Sequence, residues 1–142
     1  MKLNPHISLA FNGQCEAAFR LYAQCLDGTL AFMLTWGDSP AAAEAPPDWG
    51  AKIYHATLKV GDTVITGGDL PPDRYEPPKG FSILLEMDDP VAAERVFHAL
   101  AENGKINTPL QETFWTSRFG AVVDRFGIPW SINCERAVAP TP

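Results

Sequence analysis

Imidazole is the side chain whose charge changes closest to neutral pH, so the three histidines are the first places to look for chemistry. His6 heads the alternating run HISLAF. There it could act as a general base, orient a ligand, or form one arm of a metal site. The plain alternative is a hydrogen-bonded histidine near the chain start. His55 lies inside IYHATL, where a period of two sets it apart from Tyr54, Ala56 and Leu58. If those three face a core, His55 faces outward. His98 falls in a helical run and reads as a surface residue. Trp115 and Arg118 flank the start of a strand, an aromatic and a guanidinium that could clamp a planar or anionic ligand. Packing of a sheet end, with Arg118 paired to an acidic neighbour, is the equal alternative. Ser8, Ser82, Ser131 and Asn133 are short polar groups on alternating apolar segments, suited to anchoring a small ligand in an otherwise apolar cleft. Glu86 could supply a carboxylate, although a solvated strand end is the plainer reading. No Ser–His–acid arrangement follows from the spacing, so no serine reads as an activated nucleophile.

Composition narrows the classes. The chain has 142 residues, 46% of them hydrophobic and 20% charged, enough for a packed core. The net charge of −6 argues against nucleic acid as the main partner, because phosphate binding needs clustered Lys and Arg. Apolar runs fall well short of the roughly 20 residues of a membrane span. MKLNPHIS has no apolar stretch of the signal-peptide kind, so a cytoplasmic location is expected. Cys15, Cys25 and Cys134 form no CxxC pair. Cys15 and Cys25 sit ten residues apart on one predicted helix, about 15 Å of rise and too far for a disulfide.

The elements that must position these residues occur twice. HISLAFNGQCEAAFRLYAQCLDG and SILLEMDDPVAAERVFHALAENG align without a gap at an offset of 76 residues, His6 onto Ser82 and Gly28 onto Gly104. Each copy opens with a strand, Ile7/Leu9/Phe11 or Ile83/Leu85/Met87 alternating with more polar residues. A helix follows, over 14–26 and over 90–102. Asp88 and Asp89 can cap the second, Pro90 suits its first turn, and Gly28 and Gly104 read as C-terminal stops. Three strands follow each helix: Leu30–Trp36, Ile53–Val60 and Thr63–Asp69, then Ile106–Phe114, Phe119–Asp124 and Ile128–Cys134. Gly37 to Lys52 reads as a mobile Pro- and Gly-rich loop, with Trp36 and Trp49 as a candidate lid. The expected organisation is a βαβββ module over 1–70, a linker over 71–79, a second module over 80–135 and a flexible tail over 136–142. The fold class is α+β, two tandem modules whose curved mixed sheets surround a groove. In that reading Trp130, Ile132 and Cys134 turn inward, and Ser131 and Asn133 line the groove.

Two βαβββ modules, His6 on the opening strand, and DRFGIPWSIN (Asp124–Asn133) resemble the vicinal oxygen chelate superfamily, which includes glyoxalases, bleomycin-resistance proteins and extradiol dioxygenases. FNGQCEAAFRLY, KIYHATLKVGDTVI and FWTSRFGAVVDRFGIPWSIN are similar to its PhnB-like branch, often labelled demethylubiquinone-methyltransferase-like. No Gly-rich nucleotide loop supports the methyltransferase label.

The resemblance implies metal ligands, usually His or Glu, on the first and last strands of each module, holding a divalent ion with open positions. Here those positions offer His6, Ser82, Ser131 and either Thr66 or Gly68. One imidazole with hydroxyls does not make a typical zinc, iron or manganese site. The expectation is no cofactor and no catalytic metal, with a divalent metal at His6 as the alternative. The leading expectation is a homodimer that binds a small molecule through His6, Ser8, Ser82, Ser131, Asn133, Trp115 and Arg118, with no nucleic-acid or membrane partner. The second is an enzyme: a metal-dependent or His-based lyase, isomerase or dioxygenase, with His6 and then His55 as candidate base. The third is a purely structural role in dimerisation.

Overall fold

A computed structural model describes residues 1–112 and 118–135; Trp115, Phe114 and the 136–142 tail lie outside the described residues. The chain divides into two compact units, Met1–Glu76 and Pro77–Pro142. The first contains β1 (Ile7–Phe11), α1 (Cys15–Cys25), β2 (Thr29–Thr35), a short 3-10 turn (Ala42–Glu44), β3 (Ile53–Val60) and β4 (Thr63–Asp69). The second contains β5 (Ile83–Met87), α2 (Pro90–Ala101), β6 (Lys105–Gln111), β7 (Arg118–Val123) and β8 (Pro129–Cys134). Their sheets have the same order, β1-β4-β3-β2 and β5-β8-β7-β6. In each, the first and last strands run parallel and the remaining pairs antiparallel. Both units are thus βαβββ modules with mixed sheets, an α+β fold.

The alternating pattern explains which face is buried. Leu9 and Phe11 turn toward α1, whose Ala18, Phe19 and Tyr22 are buried against them. The Phe11 and Phe19 rings meet edge to face at 5.8 Å, and Tyr22 lies 6.1 Å from Phe19. In the second unit Val96, Phe97 and Leu100 of α2 are buried with Trp130 and Ile132 of β8. Each large apolar side chain removed from water in this way contributes about 1.5–3 kcal/mol before entropy is counted.

The helix ends refine the sequence reading. Asp89 caps α2 by accepting from the Val91 amide at 3.0 Å, followed by Pro90 at the helix start. The left-handed residues after the helices are Asp27 (φ 52°) and Asn103 (φ 58°), not the glycines that follow them. Gly28 and Gly104 are instead places of close approach. A Cβ on Gly104 would collide with the Val123 carbonyl oxygen, and one on Gly28 would stand 3.0 Å from that of Lys59.

Two further details shape the outer surface. A register shift on β3 pairs Leu34 with His55 and Thr35 with Ile53, so Tyr54 is a bulge residue. Sequence alternation groups Tyr54 with Ala56 and Leu58 on one face; Ala56 and Leu58 are buried, while the bulge turns Tyr54 outward and leaves Ile53 buried in its stead. The 37–52 loop is closed at its neck. Trp36 N donates to Lys52 O and Gly37 N to Gly50 O, while Ser39 Oγ donates to Trp36 O.

Candidate functional site

The outer face of the first sheet is the side away from α1. Direct pairing lays Ser8, Thr66, Thr57 and Phe32 in one row across β1, β4, β3 and β2. The next row holds Ala10 and Gly68, with His55 paired to Leu34 beside them. In the second unit the equivalent rows read Leu84, Ser131, Ala121 and Thr108, then Glu86, Asn133 and Phe119. The second row therefore decides how much room each face offers. Glu86, Asn133 and Phe119 carry side chains where the first unit has a methyl group, a hydrogen and His55.

That row borders a cleft of about 450 Å³, lined also by Ser8, Trp36, Tyr54, His55 and Arg74, with the Tyr54 carbonyl packed over Gly68. Its volume falls within the usual range for small-molecule sites, about 300–1,000 Å³. The Tyr54 ring stands edge-on to Trp36 at 5.1 Å, and Trp49 packs on Trp36 at 6.0 Å. The Arg74 guanidinium lies 5.8 Å from the Trp36 ring centroid. His55 Nε2 is 3.3 Å from Thr57 Oγ1, and its ring contacts that of Phe32 at 5.9 Å.

Asp69 holds the wall of the cleft together. It is 2% exposed. Its Oδ1 accepts from the Cys15 amide and its Oδ2 from the Ile53 amide, each at 2.9 Å. Its main-chain carbonyl accepts from Trp36 Nε1 at 3.0 Å. One carboxylate thus caps α1, which lacks a side-chain cap of its own, and fastens the start of β3 beside the Tyr54 bulge. Burial raises the Asp69 pKa above the ordinary carboxylate value, opposed by hydrogen bonds from the Ile53, Cys15 and Gly13 amides and by the Lys52 charge. Burial, reinforced by the negative charges of Asp69 and Glu16, also raises the Cys15 thiol far above its ordinary range, so Cys15 is no nucleophile. All three cysteines are buried and none forms a disulfide.

The sequence-derived candidates separate into distinct places. Ser8 and His55 line the cleft of the first unit. His6 precedes β1, is exposed, and is not among the cleft-lining residues. Ser82 precedes β5, and its Oγ lies 2.8 Å from Ser131 Oγ. Asn133 shares the outer face with Ser131, and its Oδ1 is buried without a hydrogen-bond partner among the described residues. Arg118 pairs with Cys134 in the β7–β8 ladder, on the side of the buried Trp130 and Ile132. Strand parity thus removes it from the face of Ser131 and Asn133, where the sequence reading had it as a ligand contact. Trp115 lies outside the described residues. Glu86 is exposed beside Asp88 and Glu135.

DRFGIPWSIN also acquires a physical role. Asp124 Oδ1 accepts from the Phe126 and Ile128 amides at 2.9 and 3.0 Å, and its Oδ2 from Trp130 Nε1 at 2.9 Å. Gly127 (φ 90°) completes the turn. The motif builds the β7–β8 hairpin, a task of folding rather than of chemistry.

Over residues 5–132 the sequence matches the model of the Glyoxalase/Bleomycin resistance protein/Dioxygenase superfamily. It is 34% identical to Protein YjdN of Escherichia coli (strain K12) over 143 residues, covering 94% of this chain and 95% of that protein. The chain belongs to this superfamily. Protein PA1353 from Pseudomonas aeruginosa, a crystal structure, superposes with a TM-score of 0.86 at 47% identity, covering 96% of this chain and all of that one. The PhnB protein from Bacillus cereus shares the fold, with a TM-score of 0.80 at 21% identity over 93% of this chain and 99% of the other. That shared fold agrees with the PhnB-like resemblance of the sequence.

The superfamily's metal chemistry requires donors that these positions do not supply. The β1–β4 register answers the alternative left open by sequence: Thr66 of β4 is the counterpart of Ser131 of β8, and Gly68 that of Asn133. The positions carried over from metal-using members are therefore His6, Thr66, Ser82 and Ser131. Among the described residues no three His, Cys, Asp or Glu side chains are grouped so as to hold a metal ion. This donor set does not fit a divalent centre.

Sequence reasoning missed Tyr54, Asp69 and Arg74. The double glycine in TVITGGD was the available signal, since glycine within a strand marks a bulge or a close backbone approach. Arg74 was read as part of a linker, whereas the first unit extends through Glu76.

Proposed function

We propose that this PhnB-like superfamily member binds a small molecule in the cleft of its first unit, without a catalytic metal. The observation that carries this reading is the cleft between Ser8, His55, Tyr54 and Arg74, where Ala10 projects only a methyl group and the Tyr54 main chain takes the side-chain position over Gly68. A fragment screen by thermal shift tests it, comparing the wild type with Ala10→Leu, which puts a larger side chain there. Hits that stabilise the wild type and lose their effect in Ala10→Leu support the reading. Hits that survive the substitution, or a screen without hits, count against it.

A metal-free reaction with His55 as base is the second reading, favoured by the place of His55 in the cleft. Against it, both oxygens of Asp69, the carboxylate that lines the cleft, already accept backbone amides, so among the described residues the cleft offers no free carboxylate to the imidazole. Homodimerisation is part of the proposal, supported by the exposed Phe81, Leu84 and Ile106 of the second unit.

A further inference from the structure

Resting on the cleft as a binding site, we propose that its ligand is a small organic anion with a flat apolar body, whose negative group meets Arg74. Charge supplies the first argument. The charged or titratable groups lining the cleft are Arg74, His55, Tyr54 and Asp69. Asp69 directs both oxygens into backbone amides, is nearly sealed from solvent, and lies within the field of the Lys52 ammonium. Arg74 is exposed and has no ion-pair partner among the described residues. A protein of net charge −6 thus presents a cation at this opening. A guanidinium offers paired N–H donors that match a carboxylate or phospho group.

Positioning supplies the second argument. Arg74 is placed over Trp36, and its amide donates to Pro71 O at 2.8 Å, which fixes the turn that carries it. Trp36 is in turn buried and hydrogen-bonded to Asp69 O. The cation is therefore partly pre-oriented, which reduces the entropy lost when an anion binds. Shape supplies the third. Ala10 leaves only a methyl group on the cleft lining, while Tyr54 and His55 supply rings at its border. A flat body suits such walls better than a branched one.

The test uses three probes that share one ring and differ in charge: benzoate, benzamide and benzylamine in its ammonium form. Each is titrated into the uniformly ¹⁵N-labelled full chain and followed through the amides of His55, Gly67 and Gly68. Benzoate is expected to shift these amides and to bind about tenfold more tightly than benzamide, the ratio of one charge-assisted contact. Arg74→Gln should bring that ratio close to one, and Arg74→Lys should keep part of it, with spectra otherwise unchanged. If benzamide or benzylammonium binds the cleft as tightly as benzoate, the anion proposal fails and the cleft remains a site. An undiminished benzoate preference in Arg74→Gln overturns the role of Arg74. If no probe shifts these amides, both the anion proposal and the cleft reading fall.

Discussion

At the level of single residues, Asp69 ties distant segments together, because one carboxylate accepts from an α1 amide and a β3 amide while burial raises its pKa. Asp69→Asn keeps the shape and removes the charge. Relief of charge burial alone would make it stabilising. The amide cannot accept at both oxygens' positions, however, so its NH₂ must face the Cys15 or Ile53 N–H. An unmet buried donor costs about 1–3 kcal/mol, and we expect net destabilisation of that order. Acid titration gives an independent check. The folded pKa of Asp69 is raised above its unfolded value, so the native state binds the proton more tightly. Its contribution to stability therefore grows as pH falls through the folded pKa toward the unfolded one, and is lost as pH rises again. Denaturant unfolding of wild type and Asp69→Asn across that acid window should show the wild type's margin widening. A margin that shrinks on acidification would mean that the amide hydrogen bonds outweigh burial. None of this was legible in TVITGGD, since a strand-end carboxylate gives no local sign of the distant amides it will meet.

Among elements, alternation and repetition were legible, whereas interruptions of alternation were not. β1 and β4 follow their apolar periods, as β3 does from Ala56 onward, and Trp130, Ile132 and Cys134 face inward as their spacing requires. The Tyr54 bulge inserts a residue without changing composition, so strict parity groups Tyr54 with Ala56 and Leu58, whose buried face it does not share. The two units show its structural counterpart. β7 pairs with β8 from Arg118 through Val123, while β3 pairs with β4 only from Ala56 to Val60. At the matching position β8 carries Asn133, and β4 carries Gly68. A Cβ at 68 would strike the Tyr54 carbonyl oxygen, so the bulge requires glycine there. Gly68→Ala should cost about 1–3 kcal/mol, the usual range for overpacking. It should also displace the Tyr54 amide resonance, which a purely entropic effect of removing glycine would leave in place. Thermal unfolding together with an amide spectrum separates the two.

For the whole molecule, the duplicated module explains why the superfamily was recognisable while its chemistry was not. The residues that carry the resemblance build a hairpin and close approaches, as Asp124 and Gly120 show, and those demands persist whatever the site does. Ligating positions are free of such demands. In this chain they hold His6, Thr66, Ser82 and Ser131, and the two serine hydroxyls lie within hydrogen-bonding distance of each other. Neutral hydroxyls are weak ligands for zinc, iron or manganese, because they keep their proton near neutral pH and bring no charge to offset the ion. One imidazole cannot compensate, since a competent site ordinarily needs about three protein ligands. Untagged protein purified without chelator should therefore carry far less than stoichiometric metal, at a level that His6→Ala leaves unchanged. Elemental analysis of the two preparations side by side decides the matter. Near-stoichiometric metal that disappears in His6→Ala would overturn the donor argument and shift the weight to a metal-dependent reaction. Metal that persists in His6→Ala would place the ion elsewhere, and leave the cleft to be judged by its ligands.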